Sequence, residues 1–194
     1  GEESLTIETE KETCFVRGAG SRFKIFGYDP GEFPEVAGFE EPADFAIDAA
    51  QLGQMISRTL FATAKTHSHY AMAGVKWEAK GKKLSLVATD GHRLAQARGS
   101  LNQAVGSDLG PIVPTKLMTL IQRLAGEQDS EQTLEVKVQE NQVLVRGAQA
   151  TLVSSLVQGN FPRYEDVIPT ECDRKATFPT AQMEHRVRQA ALGG

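Results

Sequence analysis

The chain has 194 residues, room for one or two domains with cores of their own, and its composition is that of an ordinary globular protein: 40% hydrophobic and 24% charged. No apolar run approaches the length that crosses a bilayer, and the first residues lack a signal-peptide pattern, so a cytoplasmic protein with no membrane partner is expected. The two cysteines, Cys14 and Cys172, suggest no disulfide framework and fit a reducing compartment, while the net charge of −4 speaks in aggregate against a polyanionic partner.

Taken in order, residues 4–10 and 14–26 read as strands. Leu5 and Ile7 alternate with Thr6 and Glu8, and Phe23 and Ile25 alternate with Arg22 and Lys24. A turn cluster follows at 28–32, and residues 33–42, with two prolines and little periodicity, read as a connector. Residues 45–47 form a short strand, and Asp48 is placed to cap a helix. In that helix Leu52, Met55, Ile56, Thr59 and Leu60 share one face. Gln51, Gln54, Arg58 and Lys65 share another, which predicts a helix running to about Lys65. Strands are predicted over 70–78, 83–89 and 92–97, with Gly81 turning the first hairpin, and 102–110 is a loop. Ile112 and Val113 form a short strand, and Pro114 suits the first turn of a second helix. There Leu117, Leu120, Ile121 and Leu124 form the buried stripe, Lys116, Thr119 and Arg123 line the opposite side, and Gly126 is the stop. Strands at 134–138, 142–146 and 151–157 follow, then a connector over 163–171, a strand at 175–178 and a helix over 180–192.

The chain repeats itself. Leu5, Ile7, Val16, Arg17, Gly18 and Phe23 return as Leu134, Val136, Val145, Arg146, Gly147 and Leu152, an offset of 129 (5 to 134, 23 to 152). At an offset of 131, Ile47, Ala50, Gln51 and Leu52 are echoed by Phe178, Ala181, Gln182 and Met183. A period this long means duplicated domains rather than a solenoid. The expected division is therefore 1–42, the closing part of one unit with its connector; 43–164, one whole unit; and 165–194, a connector with the first strand and helix of a third. The whole unit is two successive β-α-β-β-β halves, an α+β architecture with two amphipathic helices on one face of antiparallel sheet.

Charge is segregated along this pattern. No acid occurs from 49 to 77 or from 109 to 126, the two helical regions, although Arg58, Lys65, Lys76, Lys116 and Arg123 lie there. Local sign matters more than the total for a polyanion, and two acid-free helices in an acidic chain point to one; ordinary solvated surface is the alternative.

Two motifs remain. Thr89-Asp90-Gly91-His92 is a tight turn between strands, with an Asp90–His92 acid–base pair as the alternative. His67 and His69 could offer two imidazoles to a metal, but no Cys, Asp or Glu nearby completes a set. Nothing has the form of a phosphate-binding loop, and no cofactor is expected.

The string 87–95 (VATDGHRLA) closely resembles the second domain of the bacterial DNA polymerase III beta subunits, the sliding clamps, and 159–169 (GNFPRYEDVIP) resembles the exit from that domain. The resemblance extends over essentially the whole chain. It implies the DNA-clamp fold and a non-enzymatic processivity factor whose homodimeric ring encircles duplex DNA without reading its sequence. The DNA polymerase III catalytic subunit, the clamp loader and other proteins with a clamp-binding motif would be its partners. It further implies a peptide-binding pocket at Met72, Thr89, Gly91, His92, Arg93, Leu94, Pro162 and Val167, and DNA-facing residues Arg58, Lys65, Tyr70, Lys116 and Arg123. Leu94 and Val167 could instead be core residues. The rival reading is a hydrolase or metal-dependent enzyme using Asp90, His92, His67 and His69.

Overall fold

The structure, a computed structural model, describes residues 4–18, 20–33, 38–65, 70–126, 132–169 and 171–191, and for Pro30 and Tyr70 the backbone alone. The first element is an antiparallel meander of β1 (Thr6–Glu10), β2 (Thr13–Arg17) and β3 (Arg22–Phe26). The central unit follows: β4 (Phe45–Asp48), α1 (Ala49–Ser57), β5 (Gly74–Lys80), β6 (Lys83–Thr89) and β7 (Leu94–Ser100), then β8 (Ile112–Pro114), α2 (Thr115–Gly126), β9 (Thr133–Val138), β10 (Gln142–Arg146) and β11 (Thr151–Ser155). A last helix, α3, spans Thr180–Ala191.

The expected β-α-β-β-β order is present twice in the central unit, but it builds two sheets. Their strand orders are β7-β6-β5-β8 and β11-β10-β9-β4. Each half's leading strand crosses to the other half's sheet: β4 pairs antiparallel with β9, and β8 with β5. That exchange locks the halves into one body around one core. Phe45, Ile47, Leu52, Ile56, Val75, Trp77, Leu84, Leu86, Met118, Ile121, Leu134, Val136 and Val145 are buried together there. Both helices lie on the inner faces of the sheets and pack on each other, so closely that a methyl added at Gly53 would sit 3.4 Å from Ala125 Cβ. The outer faces of the sheets point the opposite way.

The duplication extends to strand register. Ile7 pairs with Val16, and Val16 with Phe23; 129 positions on, Val136 pairs with Val145, and Val145 with Leu152. The turns correspond too: Gly18 N–H donates to Ser21 O and Gly147 N–H to Ala150 O, each at 2.9 Å. In the central unit the equivalents of Leu5, Ile7 and Phe23 close the core. In β1–β3 those three remain 61–67% exposed.

Local chemistry explains where elements begin and end. Asp48 caps α1, its Oδ1 accepting from Gln51 N–H at 2.7 Å. The expected run to Lys65 is not a helix: α1 stops at Ser57 with Arg58 as its C-cap, and a 3₁₀ turn follows at Leu60–Ala62. The cause is Thr59, buried, whose hydroxyl donates back to Met55 O (2.9 Å) and Ile56 O (3.3 Å) and replaces the next helical turn. Residues Tyr70–Ala73, expected to open a strand, form another 3₁₀ turn, and pairing begins only at Gly74. Pro114 ends β8 rather than starting the helix. The buried stripe of α2 is Leu117, Met118, Ile121 and Leu124, not Leu120, which is 46% exposed. Met118 is fully buried in the core, where the Trp77 indole N–H lies 3.3 Å from its Sδ.

The connector after 38 is tied to the central unit. Asp44 Oδ2 accepts from Val138 N–H (2.7 Å), Lys137 bridges Glu41 and Asp44, and the Arg146 guanidinium lies 4.1 Å from the centre of the Phe39 ring. Residues 175–178, expected as a strand, are exposed and pair with no strand among the described residues. A strand exists only where a neighbour takes its backbone hydrogen bonds.

Candidate functional site

The outer face of the β7-β6-β5-β8 sheet is organised at one end by the turn from β6 into β7. Gly91 adopts φ +88°, a left-handed conformation that favours glycine. Asp90 Oδ1 accepts from the N–H groups of His92 and Arg93, both at 3.1 Å, and Oδ2 takes Arg93 Nε at 3.0 Å. Thr89 completes the knot: its hydroxyl donates to Arg93 O (2.8 Å) and accepts from Gly91 N–H (3.1 Å). The hydrogen bond from His92 N–H, ahead of those from Arg93, holds the Asp90 carboxyl below its ordinary range. Asp90 is thus an ionised turn organiser bound to the backbone of His92, not to its imidazole. That is poor geometry for a general base, and the acid–base alternative finds no support. This engagement also starts β7 at Leu94 rather than at His92.

The other residues expected at a pocket lie after this turn and on two further segments. Leu94 stands opposite Thr89 on the outer face and is half-buried, and Val167 is 69% exposed. Neither belongs to the core, so the alternative reading of these two residues is set aside. Met72, half-buried, lies two residues before β5 begins, and its carbonyl accepts from Ala64 N–H at 2.9 Å. Pro162 is exposed on the segment leaving β11. That segment crosses the outside of β5. Val157 N–H donates to Ile112 O (2.9 Å), and Tyr164 is buried with its hydroxyl donating to Glu78 Oε2 at 2.5 Å. Phe161 meets the Tyr164 ring edge-on at 6.4 Å. Burial, then the bond to Glu78, pushes the Tyr164 phenol well above its ordinary value. A 3₁₀ turn at Tyr164–Val167 then displays Val167.

Two residues here escaped sequence reading. Phe61, 58% exposed, lies beneath the Arg93 guanidinium, 5.7 Å from its ring centre, so the rim of the turn carries an aromatic face. Phe61 lies on neither of the two faces that periodicity singles out in the run from Asp48 to Lys65. Tyr164 was passed over because only the fold brings it to Glu78, 86 positions away.

On the opposite side the two helices expose no acid. Lys116 and Arg123 are exposed two turns apart on α2, Arg58 is exposed at the C-cap of α1, where a cation complements the helix dipole, and Lys65 is exposed beyond it. Arg58 and Lys65 do not share one helix face, since α1 ends between them. Among the described residues none of these four cations has an ion-pair partner. Tyr70 opens the 3₁₀ turn before β5. His67 and His69 lie outside the described residues. Among the described residues no group of three His, Cys, Asp or Glu could hold a metal, and the hydrolase or metal-enzyme alternative is not supported.

Comparison with known proteins places this geometry. The family model of the DNA polymerase III beta subunit, central domain, matches residues 46–163. The beta sliding clamp of Pseudomonas aeruginosa is 31% identical over 190 residues, covering 97% of this chain and 51% of that protein. The crystal structure of the DNA polymerase III subunit beta from the same organism superposes with a TM-score of 0.78 at 30% identity, covering 87% of this chain and 46% of that one. The fold extends to the beta subunit of Streptococcus pyogenes DNA polymerase, with a TM-score of 0.80 at 23% identity over 97% of this chain and 50% of that one. The chain spans about half the length of the relatives it matches. It belongs to the DNA polymerase III beta subunit family and carries that family's central domain.

Proposed function

We propose that the chain is part of a sliding clamp, a non-catalytic processivity factor. Its helices face duplex DNA and its outer sheet face receives a short peptide from the polymerase and other clamp-binding proteins. Residues 43–164 are one clamp domain, flanked by the closing meander of a preceding domain and the opening helix of a following one. Several such domains complete a homodimeric ring in the bacterial cytoplasm. One observation carries this reading: the unpaired cations Arg58, Lys116 and Arg123 on the helix side, opposite an outer face bearing the ordered turn Thr89–Leu94. The helix-side cations, with Lys65 and Tyr70, meet phosphates, so contacts are independent of sequence and sensitive to salt. Met72, Thr89, Gly91, His92, Arg93, Leu94, Pro162 and Val167 form the peptide pocket. Apolar side chains at Leu94, Pro162 and Val167 beside backbone held in place suit leucine and phenylalanine anchors, and Met72 would supply an adaptable wall.

A titration of the isotope-labelled chain with a 20-base-pair duplex tests the DNA side. Weak binding is expected, with Kd about 10⁻⁴ M at physiological salt, and with amide shifts at Lys116, Arg123 and Arg58. The doubly reversed variant Lys116→Glu/Arg123→Glu should lose it. Shifts on the outer sheet face, or binding untouched by the reversal, would refute this orientation.

A further inference from the structure

The outer face of the β7-β6-β5-β8 sheet continues beyond the pocket. Strand register sets its side chains in rows: Thr89 with Leu94, then Lys76 with Val87 and Gln96, then Glu78 with Ser85 and Arg98, then Lys80 with Lys83. The last two rows and the 108–110 loop line a hollow of about 520 Å³, while Leu109, bridged to Ala79, packs against the core. Its charges are not balanced internally. Asp108 is taken by Lys80 at 3.2 Å, Glu78 accepts the Tyr164 hydroxyl, and Lys76 donates to Gly110 O at 2.7 Å. Arg98 donates only to the neutral Gln96 Oε1, at 3.0 Å, and among the described residues neither Arg98 nor Lys83 has a carboxylate partner. Two exposed cations thus stand over a depression on the same face as the pocket.

The spacing links the two places. Leu94 and Arg98 are on one strand, four residues apart, or about 13 Å, and an extended peptide covers that span with about four residues of its own. Between them the row holds Val87, fully buried, and Gln96, whose amide donates to Ser85 Oγ at 3.1 Å. We propose that this hollow receives carboxylate side chains from the flank of a peptide anchored at the Thr89–Leu94 turn, about four residues beyond its apolar anchors. The inference rests on the peptide-pocket reading above. Its occupant is an acidic peptide flank, because the site offers two cations that have no carboxylate partner among the described residues.

The test is fluorescence anisotropy of this chain with labelled Gln-Leu-Ser-Leu-Phe carrying a six-residue flank, either Gly-Ser-Glu-Asp-Glu-Glu or its Gly-Ser-Ser-Asn-Gln-Gln counterpart, on either end. One acidic-flank peptide should bind about 3- to 10-fold tighter than its neutral counterpart at about 0.15 M salt, with the gain shrinking toward 1 M. Lys83→Glu/Arg98→Glu, and the milder Lys83→Gln/Arg98→Gln, should abolish the gain and leave the neutral peptide's affinity unchanged. Equal binding of acidic and neutral peptides, or a gain that survives both variants, overturns the inference while the pocket stands. Acidic-peptide binding undiminished by Leu94→Asp overturns the pocket and leaves the hollow as an acid-binding site in its own right. No binding by any peptide overturns both.

Discussion

Replacing Tyr164 by Phe removes one oxygen and nothing else. The ring keeps its buried position and its edge-on contact with Phe161, but the hydrogen bond to Glu78 is lost. A hydrogen bond to a charged acceptor contributes about 1.5–3 kcal/mol, and because Glu78 is half-buried, water recovers part of it; we expect about 1–2 kcal/mol. The contact holds the exit segment against β5, so the cost falls first on local opening of that segment. By the same arithmetic its open population should rise about 5- to 30-fold. Hydrogen exchange of the amides over 157–168 and tryptic cleavage after Arg163, whose side chain is 89% exposed, both read this opening. Glu78→Gln keeps an acceptor without the charge and should cost less. The linkage sign follows from the raised phenol pKa. The contribution is fully present below the phenol's ordinary value, about pH 10, and is lost as pH rises through the folded-state value, so wild type and Tyr164→Phe should converge only in strong alkali. Exchange over 157–168 unchanged in Tyr164→Phe at pH 7 would refute the claim that this bond holds the segment in place.

Other predictions follow from single contacts. Gly99→Ala places a methyl 2.4 Å from Gln51 Oε1 and 2.5 Å from Met55 Sδ. Both belong to flexible side chains that swing aside, so the cost is that of the lost Gln51–Ser100 hydrogen bonds, about 1 kcal/mol, read from urea unfolding. Thr89→Val removes the hydroxyl shared by Arg93 O and Gly91 N–H, and should cost about 1 kcal/mol of stability together with most of the peptide affinity. Asp90 has a lowered pKa, so its contribution to the turn is present above the ordinary carboxylate value and lost on further acidification. The His92 and Arg93 amide resonances should therefore titrate below pH 3.8, and Asp90→Asn should abolish that titration. Thr59→Val removes the back-bond that ends α1 and should cost about 1 kcal/mol in thermal unfolding.

Periodicity and turn chemistry made the order of elements legible. The cap at Asp48, the β5–β6 turn at Gly81, the Asp90-Gly91 turn and both β-α-β-β-β halves are where local rules put them. What local rules could not carry was partner choice. The exchange of β4 and β8 between sheets depends on where the halves meet, and nothing in 45–48 or 112–114 names a partner. Thr59 looked like one more position on an apolar face, yet its hydroxyl stops the helix. Leu120 fits a helical stripe as well as Met118 does, and only the packed core decides between them. The Thr89–Leu94 turn was legible because its residues are contiguous, while its place in a peptide pocket came only from the family resemblance. Phe61 and Tyr164 were not, since their roles depend on Arg93 and Glu78, distant in sequence.

The most direct test is a backbone NMR titration of this chain with Gln-Leu-Ser-Leu-Phe. The account predicts saturable shifts concentrated at Thr89, Gly91, Leu94 and Val167, weakened by Leu94→Asp, with the helix-side amides of Lys116 and Arg123 unmoved. Saturating peptide that leaves the Thr89–Leu94 turn unshifted, or shifts it no more than the helix side, would contradict the claim that this face receives the partners' peptides.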